Sequence, residues 1–226
     1  MIGIISAMDS EIELLRSAMT EKREELRAGV PFYVGKIDGV DVTLVTCGVG
    51  KVNAAVHTQV LIDFYHPAAI IQSGVAGSLS ENLHIFDVVV GNELVYHDMQ
   101  DFILDRFDSL QKVYYADPDL VRIASSAADT ISVGRIASGD IFVSDGETRR
   151  AIKEKTGALC VEMEGTAVAH TATLNQIPFV VIRAISDSAD SGLEMVFDVF
   201  EKEAAKNSAK IVRGMLPHVR QTLSKR

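Results

Sequence analysis

The sequence predicts an α/β fold: one three-layer α/β/α domain over residues 1–226, built on a mixed and twisted central sheet. Strand-like runs alternate with helix-like runs along the chain, which is the pattern of helices packed on both faces of a sheet. Asp38-Gly39 separates two alternating runs, as a hairpin turn does, so part of the sheet is antiparallel. The chain is also long enough to bury a large core, with 47% apolar and 23% charged residues.

The individual elements follow from local periodicity. Short apolar and β-branched runs predict strands at Ile2–Ser6, Phe32–Ile37, Val42–Thr46, Ala69–Gln72, Phe86–Tyr96, Ile131–Ala137 and Phe179–Ile185. Runs with apolar residues at helical spacing predict helices at Met8–Met19, Lys51–Phe64, Pro118–Ala128, Glu147–Lys155, Glu164–Asn175 and Phe197–Leu216. No linker, repeat or low-complexity segment interrupts this alternation, so we expect a single domain.

Composition and charge argue against several classes of partner. The formal charge is −9, and no run of Lys and Arg exceeds two residues, so we expect no nucleic-acid partner. No apolar run approaches the roughly 20 residues needed to span a membrane, so we expect no membrane partner. Cys47 and Cys160 stand far apart without a CxxC motif and are expected to be free thiols in a reducing compartment. The histidines show no metal-ligand spacing, so we expect neither a metal nor a cofactor.

The run Phe179–Ile185 is the most informative strand because it carries charge. Arg183 lies inside this apolar run, and Asp187 follows it. Ionised side chains are rarely buried without partners, and ligands of open α/β sheets bind at the carboxyl ends of strands. The strand is therefore predicted to end in a binding site. A structural ion pair between the arginine and a carboxylate is an equally reasonable interpretation.

Further acids stand on apolar helix faces. Glu11 shares a face with Leu14 and Leu15, and Glu164 shares one with Val168. A carboxylate in such a place requires a partner or a task, and its two oxygens suit a vicinal diol such as ribose. The alternative is an acid of the first helical turn that interacts favourably with the helix dipole. Glu162 is open to either interpretation.

Glycine-bearing turns follow three predicted strands, at Cys47-Gly-Val-Gly-Lys51, Ser73-Gly-Val-Ala-Gly-Ser78 and Ser138-Gly-Asp-Ile-Phe142. Glycine lets the backbone approach a ligand closely, although tight packing explains any one of these turns equally well. The first turn is neither a Walker loop nor a GxGxxG motif. Phe142 has the flat face needed to stack on a base, and on its own it is equally consistent with a core position.

Together these segments resemble the nucleoside phosphorylase superfamily, and within it the 5′-methylthioadenosine/S-adenosylhomocysteine nucleosidases. The matching stretches are Ile2-Gly-Ile-Ile-Ser-Ala-Met-Asp-Ser-Glu11, Cys47-Gly-Val-Gly-Lys-Val-Asn-Ala-Ala55, Ser73-Gly-Val-Ala-Gly77, Ser138-Gly-Asp140, Val161-Glu-Met-Glu-Gly165 and Arg183-Ala-Ile-Ser-Asp187. They span nearly the whole chain in order, and the last two are the most specific.

The resemblance implies a role for each matched position. Asp187 is expected to act as general acid toward N7 of adenine, and Glu11 to position and deprotonate the attacking water, supported by Arg183 and Glu162. The remaining expected substrate contacts are Phe142 stacked on the base, the Val143 backbone at its edge, Met163 and Glu164 at the ribose hydroxyls, Met8, Val49 and Phe197 around the sugar and 5′ side, and Val75 and Ser186 close to Asp187. The resemblance also implies a cytoplasmic homodimer that uses no metal.

The chain departs from the family pattern in two places. Val75 stands where the family often has Ser, so the hydroxyl contact near Asp187 is expected to be lost or supplied by Ser73 or Ser78. The stretch from Met99 onward lacks the FGYxxGQ-like pattern that reaches into the partner's 5′ pocket. We expect Phe102 or a near neighbour to take this place.

The sequence therefore predicts a hydrolase that releases adenine from 5′-methylthioadenosine, S-adenosylhomocysteine and 5′-deoxyadenosine, in methionine salvage and the methyl cycle. The alternatives are a purine nucleoside phosphorylase of the same fold, an aminofutalosine hydrolase, and a non-catalytic nucleoside-binding protein. An acid at Glu11 repels phosphate, which favours water as nucleophile. A binding protein has no need of Glu11 and Asp187 together.

Overall fold

The computed structural model describes residues 1–128, 130–187 and 194–225, with the side chains of 194–199 left out. The strands are β1 (Ile2–Ser6), β2 (Thr20–Arg27), β3 (Val30–Ile37), β4 (Val40–Thr46), β5 (Ala69–Ser78), β6 (Val88–Tyr96), β7 (Tyr114–Tyr115), β8 (Ile131–Ser138), β9 (Cys160–Glu162) and β10 (Phe179–Asp187). The helices are α1 (Asp9–Ser17), α2 (Lys51–Tyr65), α3 (Asp101–Arg106), α4 (Pro118–Ser125), α5 (Gly146–Thr156), α6 (Gly165–Leu174) and α7 (Glu194–Leu223).

The strands form one mixed sheet, part of which closes on itself. The hydrogen-bonded order is β10-β6-β8-β9-β5-β1-β4-β3-β2, and β10 also pairs with β5. Strands β5, β9, β8, β6 and β10 therefore form a ring, from which β1, β4, β3 and β2 continue as an open sheet. The pairs β1–β5, β5–β10 and β6–β8 are parallel, whereas β6–β10 and β3–β4 are antiparallel. The sheet is mixed, as predicted. Its closure into a ring was not predicted.

Helices cover both faces of the sheet, as the three-layer prediction requires. Residues of α1, α4 and α7 pack in one apolar cluster, and residues of α2 and α6 pack in the other. Along β10, Val180 and Ile182 belong to the first cluster, whereas Val181 and Ile185 belong to the second. This alternation explains why the first half of the strand, Phe179–Ile182, is apolar at every position, since both of its faces are buried. The predicted α/β class with a mixed sheet is confirmed.

Several boundaries differ from prediction. The predicted strand Phe86–Tyr96 begins only at Val88, and the strand after Ala69 runs on to Ser78. The last helix is longer than predicted and passes through Pro217. Strand β2 was not predicted, because its residues TEKREELR are polar and mostly exposed and carry no apolar alternation. The short elements β7, β9 and α3 were not predicted either.

Two features of the fold bring the predicted site residues together. The carboxyl ends of the parallel strands β1, β4, β5 and β10 reach one edge of the sheet, where the Asp187 backbone pairs with Gly77 of β5. Ser138, at the end of β8, pairs with Glu162 of β9. The turns after these strands therefore face a common space. Within the described residues, no helix is both long and apolar enough to cross a membrane.

Candidate active site

The strand ends surround a cavity of about 190 Å³. Every residue predicted to form the site lines it, apart from Phe102 and Phe197; these are Met8, Glu11, Val49, Val75, Phe142, Val143, Glu162, Met163, Glu164, Arg183, Ser186 and Asp187. The Phe197 side chain lies outside the described residues. The cavity is also lined by residues that sequence reasoning missed, namely Ala7, Ala76, Gly77, Ile141 and Val161. Four of these are sequence neighbours of predicted residues, and Gly77 pairs with Asp187 across the sheet. All five have small or apolar side chains, which carry no sequence signal for a site.

Arg183 lies at the centre of the site and is 1% exposed. Its Nη2 contacts a carboxylate oxygen of Glu162 and lies 3.4 Å from Glu164 Oε2. Its Nη1 lies 3.8 Å from Glu11 Oε1. Burial opposes the charge of the guanidinium, yet the neighbouring carboxylates, with Glu162 first, raise the pKa of Arg183 above its ordinary value. The guanidinium of Arg183 thus forms ion pairs with three buried carboxyl groups.

Gly74 makes room for this cluster. A Cβ at this position of β5 would lie 2.0 Å from Arg183 Nη1 and 2.5 Å from Glu11 Oε1. Both distances are shorter than any van der Waals contact, so a side chain here would displace the arginine or the acid. The glycine is therefore explained by close packing of charged groups.

Glu11 is held by backbone donors. Its Oε2 accepts hydrogen bonds from the N–H groups of Ala7 (2.8 Å) and Met8 (2.9 Å), and its Oε1 accepts one from Val75 (2.9 Å). Burial raises the pKa of Glu11 above its ordinary value, while Arg183 and these N–H groups oppose the rise. A carboxylate of raised pKa is a stronger base, as proton abstraction from water requires. Its hydrogen bond from the Met8 N–H also caps α1, so Glu11 stabilises the start of the helix as well as lining the cavity.

Glu162 has its hydrogen-bonding capacity filled by the protein. Its Oε2 accepts from the N–H groups of Glu164 (3.0 Å) and Gly165 (2.7 Å) as well as from Arg183. Its Oε1 accepts from the Ser138 hydroxyl. A carboxylate has about four lone-pair sites. Glu162 is thus suited to holding the arginine and the start of α6 in place.

Glu164 presents a different environment. Its Oε1 accepts a hydrogen bond from the Gly50 N–H (2.8 Å), and it is 4% exposed. Burial, followed by the charge of Glu162, raises the pKa of Glu164 to about 7, although Arg183 acts against this rise. Gly50 has φ 98°, a left-handed conformation that favours glycine. Its N–H orients the carboxylate of Glu164 at the cavity wall.

Asp187 lies at the end of β10 and is half-buried. The hydroxyl of Ser186 donates a hydrogen bond to Asp187 Oδ2 (3.0 Å). A Cβ at Gly77 would lie 2.9 Å from Asp187 Oδ1, so glycine leaves space for the carboxylate. The absence of a side chain at Gly77 thereby lets this acid approach β5 closely.

The hydroxyl contact near Asp187 was expected to be lost or supplied by Ser73 or Ser78, and neither of these serines supplies it. The Ser73 hydroxyl bonds to Ser208 of α7 (3.2 Å), and the Ser78 hydroxyl bonds to the Ser80 carbonyl (2.8 Å). Ser73 lies on the same face of β5 as Val75 but deeper in the sheet, against the last helix. The hydroxyl comes from Ser186 instead.

Phe142 and Val143 form the opposite wall, in the turn after β8. Phe142 is 47% exposed, and Val143 is buried. A half-exposed aromatic ring at a cavity wall offers a flat apolar face to a ligand. Phe102, by contrast, is 60% exposed on α3 and does not line this cavity.

Comparison with known proteins agrees with this geometry. The family model of the phosphorylase superfamily matches residues 1–217. A 5′-methylthioadenosine/S-adenosylhomocysteine nucleosidase of Staphylococcus carnosus is 41% identical over 225 residues, covering 96% of this chain and 99% of that protein. The chain belongs to the 5′-methylthioadenosine/S-adenosylhomocysteine nucleosidase family of the phosphorylase superfamily. The resemblance seen in the sequence is thus confirmed.

Solved structures extend the comparison for this nucleosidase family member. The S-adenosylhomocysteine nucleosidase of Streptococcus pyogenes, in complex with 5-methylthiotubericidin, superposes with a TM-score of 0.91 at 36% identity, covering 95% of each chain. The futalosine hydrolase of Helicobacter pylori superposes with a TM-score of 0.91 at 31% identity, covering 96% of this chain and 97% of that one. The same fold therefore serves proteins described by two related activities.

The raised pKa of Glu164 predicts a pH-dependent contribution to stability. The folded protein binds this proton more tightly than the unfolded chain does, so the contribution is complete below the ordinary pKa of 4.5 and is lost as pH rises through about 7. We therefore expect the free energy of unfolding of the wild type, relative to Glu164→Gln, to fall from about pH 5 to about pH 8. Urea unfolding across this range measures it.

Glu154→Gln, which removes an exposed carboxylate of α5, controls for the loss of a negative charge. A stability difference between wild type and Glu164→Gln that stays constant over the same range would contradict the assignment.

Proposed function

We propose that this nucleosidase breaks the bond between N9 and C1′ of 5′-methylthioadenosine and S-adenosylhomocysteine by adding water, and so releases adenine. The proposal rests on the positions of Glu11 and Asp187 along β5. Glu11 bonds to the Val75 N–H, and Asp187 lies against Gly77. Val75 and Gly77 are two residues apart, which is roughly 7 Å along a strand. Backbone positions this far apart suit the anchoring of two carboxyl groups that act on one glycosidic bond with room for a water.

The chemistry fits such an arrangement. Breaking the glycosidic bond leaves positive charge on the sugar and negative charge on the purine. Asp187 delivers a proton toward N7 and stabilises the leaving base, while Glu11 removes a proton from the attacking water. The excess of carboxylates over guanidinium in the cluster around Arg183 favours the cationic sugar.

The other cavity residues bind the substrate in this proposal. Glu164 and the backbone of Met163 hold the ribose hydroxyls. The carboxylate of Glu164 lines the cavity, with one protein donor on each oxygen, Gly50 N–H on Oε1 and Arg183 Nη2 on Oε2, so each oxygen can accept a further hydrogen bond. Phe142 stacks on the adenine, and the Val143 backbone contacts its edge. The sugar and its 5′ substituent lie against apolar residues, namely Met8, Val49 and Val75. Phe197 remains a prediction from the sequence.

Electrostatics favours water over phosphate as nucleophile. The guanidinium of Arg183 already contacts Glu11, Glu162 and Glu164, and its Nη1 also donates to the Val75 carbonyl (3.3 Å). A phosphate would meet three carboxylates and a cation that is already engaged by them. This supports a hydrolase over a phosphorylase of the same fold.

A product assay tests the proposed function. We expect adenine and the free 5′-thioribose from 5′-methylthioadenosine, at a rate that does not depend on added phosphate, with S-adenosylhomocysteine and 5′-deoxyadenosine also cleaved. The sugar is identified by mass. Sugar 1-phosphate as the main product would mean a phosphorylase. Aminofutalosine belongs in the same panel, because of the structural likeness to the Helicobacter pylori futalosine hydrolase.

Substitution of the two acids tests their roles. Glu11→Gln and Asp187→Asn are each expected to lower kcat by roughly two orders of magnitude or more while the fold persists. Glu13→Gln is the matched control, because this acid lies two residues from Glu11 on the exposed side of α1. A folded Asp187→Asn variant with near-normal turnover would contradict the general-acid role.

We further propose that the protein acts as a cytoplasmic homodimer whose segment 99–107 closes the partner's 5′ pocket. Of the apolar residues in this segment, Leu104 packs into its own subunit, whereas Phe102 and Phe107 are 60% and 50% exposed. Exposed aromatic side chains within one short segment are typical of an interface. This supports Phe102 as the residue that reaches the other subunit.

Phe102→Ala is therefore expected to change the ratio of kcat/KM for 5′-methylthioadenosine to that for S-adenosylhomocysteine, with a smaller effect on 5′-deoxyadenosine, which lacks a thioether group. Leu174→Ala removes a similarly exposed apolar side chain (61%) from α6 as a control. Sedimentation at assay concentrations reports the assembly state. Full activity from a monomer at high dilution would refute the shared pocket.

A further inference from the structure

An ion cluster lies beside the cavity and joins three of its turns. It consists of Lys51, Asp98 and Asp140, which follow β4, β6 and β8 and are called the Lys51 cluster below. The Lys51 ammonium lies 2.5 Å from Asp98 Oδ2 and 3.6 Å from Asp140 Oδ2. The side chains of Lys51 and Asp98 are only 22% and 17% exposed. This partial burial makes the pairing stronger than that of an ordinary surface ion pair.

Backbone hydrogen bonds reinforce the cluster. The Asp140 N–H donates to Asp98 Oδ2 (3.0 Å), and the Lys51 N–H donates to Asp140 Oδ1 (2.9 Å). Burial opposes the ionisation of Asp98, yet the hydrogen bonds from Lys51 and Asp140 lower its pKa below the ordinary value. Asp98 is thus stabilised as an anion, and the Asp140 carboxylate lies beside the same ammonium.

The Lys51 cluster adjoins both ends of the proposed substrate. The residue before Lys51 is Gly50, whose N–H orients the carboxylate of Glu164 (2.8 Å) at the ribose end. Asp140 precedes Phe142 by two residues in the turn that forms the base-stacking wall. A displacement of either aspartate would therefore move one of these two binding elements.

We propose that Lys51 is a positioning residue of the nucleosidase, which fixes the Gly50–Glu164 contact and the Phe142 turn relative to each other by holding Asp98 and Asp140 together. The inference rests on the proposed function of the cavity. Both aspartate oxygens lie near the same nitrogen, so they lie within about 6 Å of one another. Without the ammonium they repel each other in a partly dry environment. The Asp140 turn is then displaced, and the first turn of α2 loses its carboxylate partner.

The proposal differs from a role in folding alone. Glu11 and Asp187 bond to other partners, so the reacting groups keep their places when the Lys51 cluster is disturbed. Substrate binding at both ends is then weakened more than the chemical step. A residue that only stabilised the fold would lower the melting temperature and leave KM unchanged.

Lys51→Met tests this inference. We expect KM for 5′-methylthioadenosine to rise roughly tenfold, with kcat changing less than about threefold. Inhibition by adenine should weaken, and the preference for the ribo over the 2′-deoxy substrate should decrease. Lys51→Arg keeps the charge and should restore much of the lost affinity. Lys206→Met is the matched control, since Lys206 pairs with Glu203 on the exposed side of α7.

A double-mutant cycle separates repulsion from general damage. Asp98→Asn removes one of the two charges, so the double variant Lys51→Met/Asp98→Asn should bind substrate better than Lys51→Met alone. The proposal would be overturned if the losses of substrate-binding free energy in the two single variants simply added in the double variant. It would also be overturned if binding were weakened only at the base end or only at the ribose end of the substrate. Wild-type KM values in Lys51→Met would overturn it as well.

Asp98→Asn provides a second test should Lys51→Met fail to fold, with a smaller rise in KM expected and an unchanged KM counting against the inference. Wild-type turnover in the same assay tests the proposed function separately. Adenine binding measured by calorimetry reports on the Phe142 side without relying on turnover.

Discussion

The pairing of one buried guanidinium with three carboxylates is the interaction on which the rest of the site depends. Arg183 stands in the middle of β10, opposite Gly74 of β5, with Glu11, Glu162 and Glu164 around it. Removing the cation would leave buried acids without compensation, a situation that costs about 3–5 kcal/mol in other proteins. Because Gly74 has no side chain, there is space for Arg183 of the neighbouring strand. The two residues therefore form one structural unit.

The three acids share one cation but have different surroundings. Glu162 is enclosed by hydrogen bonds from the start of α6 and from Ser138, and it belongs to the framework. Glu11 and Glu164 each keep a raised pKa because burial outweighs the stabilisation they receive. The framework acid keeps the arginine charged and in place. In the proposed mechanism this leaves Glu11 available for proton transfer and Glu164 for hydrogen bonds to the ribose.

The sequence was sufficient to predict the α/β class and the hairpin at Asp38-Gly39, because both follow from local periodicity. Charges on apolar faces indicated Glu11, Glu164 and Arg183, whereas the rest of the predicted cavity wall followed from the resemblance to the nucleosidase family. In the hairpin, Ile37 pairs with Val40, and Asp38 and Gly39 both have positive φ, as its two-residue turn requires. Closure of the sheet was not predictable in this way. It depends on the pairing of β5 with β9 and β10, whose registers are set by contacts between residues far apart in sequence.

Side-chain partners were less predictable than the residues themselves. Nothing in the local sequence distinguishes Ser186 from Ser73 or Ser78 as the hydroxyl beside Asp187, since the choice depends on how deep each serine lies in the sheet. The Lys51 cluster was not predicted, for a similar reason. Its members come from three separate turns, and each alone is an ordinary polar residue after a strand.

Ring closure also bears on how the protein avoids self-association through its sheet. Strands inside a closed ring offer no unpaired backbone to a neighbouring molecule. The exposed edge strand of the open part of the sheet is β2, the last strand in the hydrogen-bonded order. This strand reads TEKREELR, and its side chains are mostly exposed. Densely charged edges of this kind resist docking of a foreign strand, because the incoming chain would bury unpaired charges. The polarity that hid β2 from pattern recognition thus protects the protein against edge-to-edge aggregation.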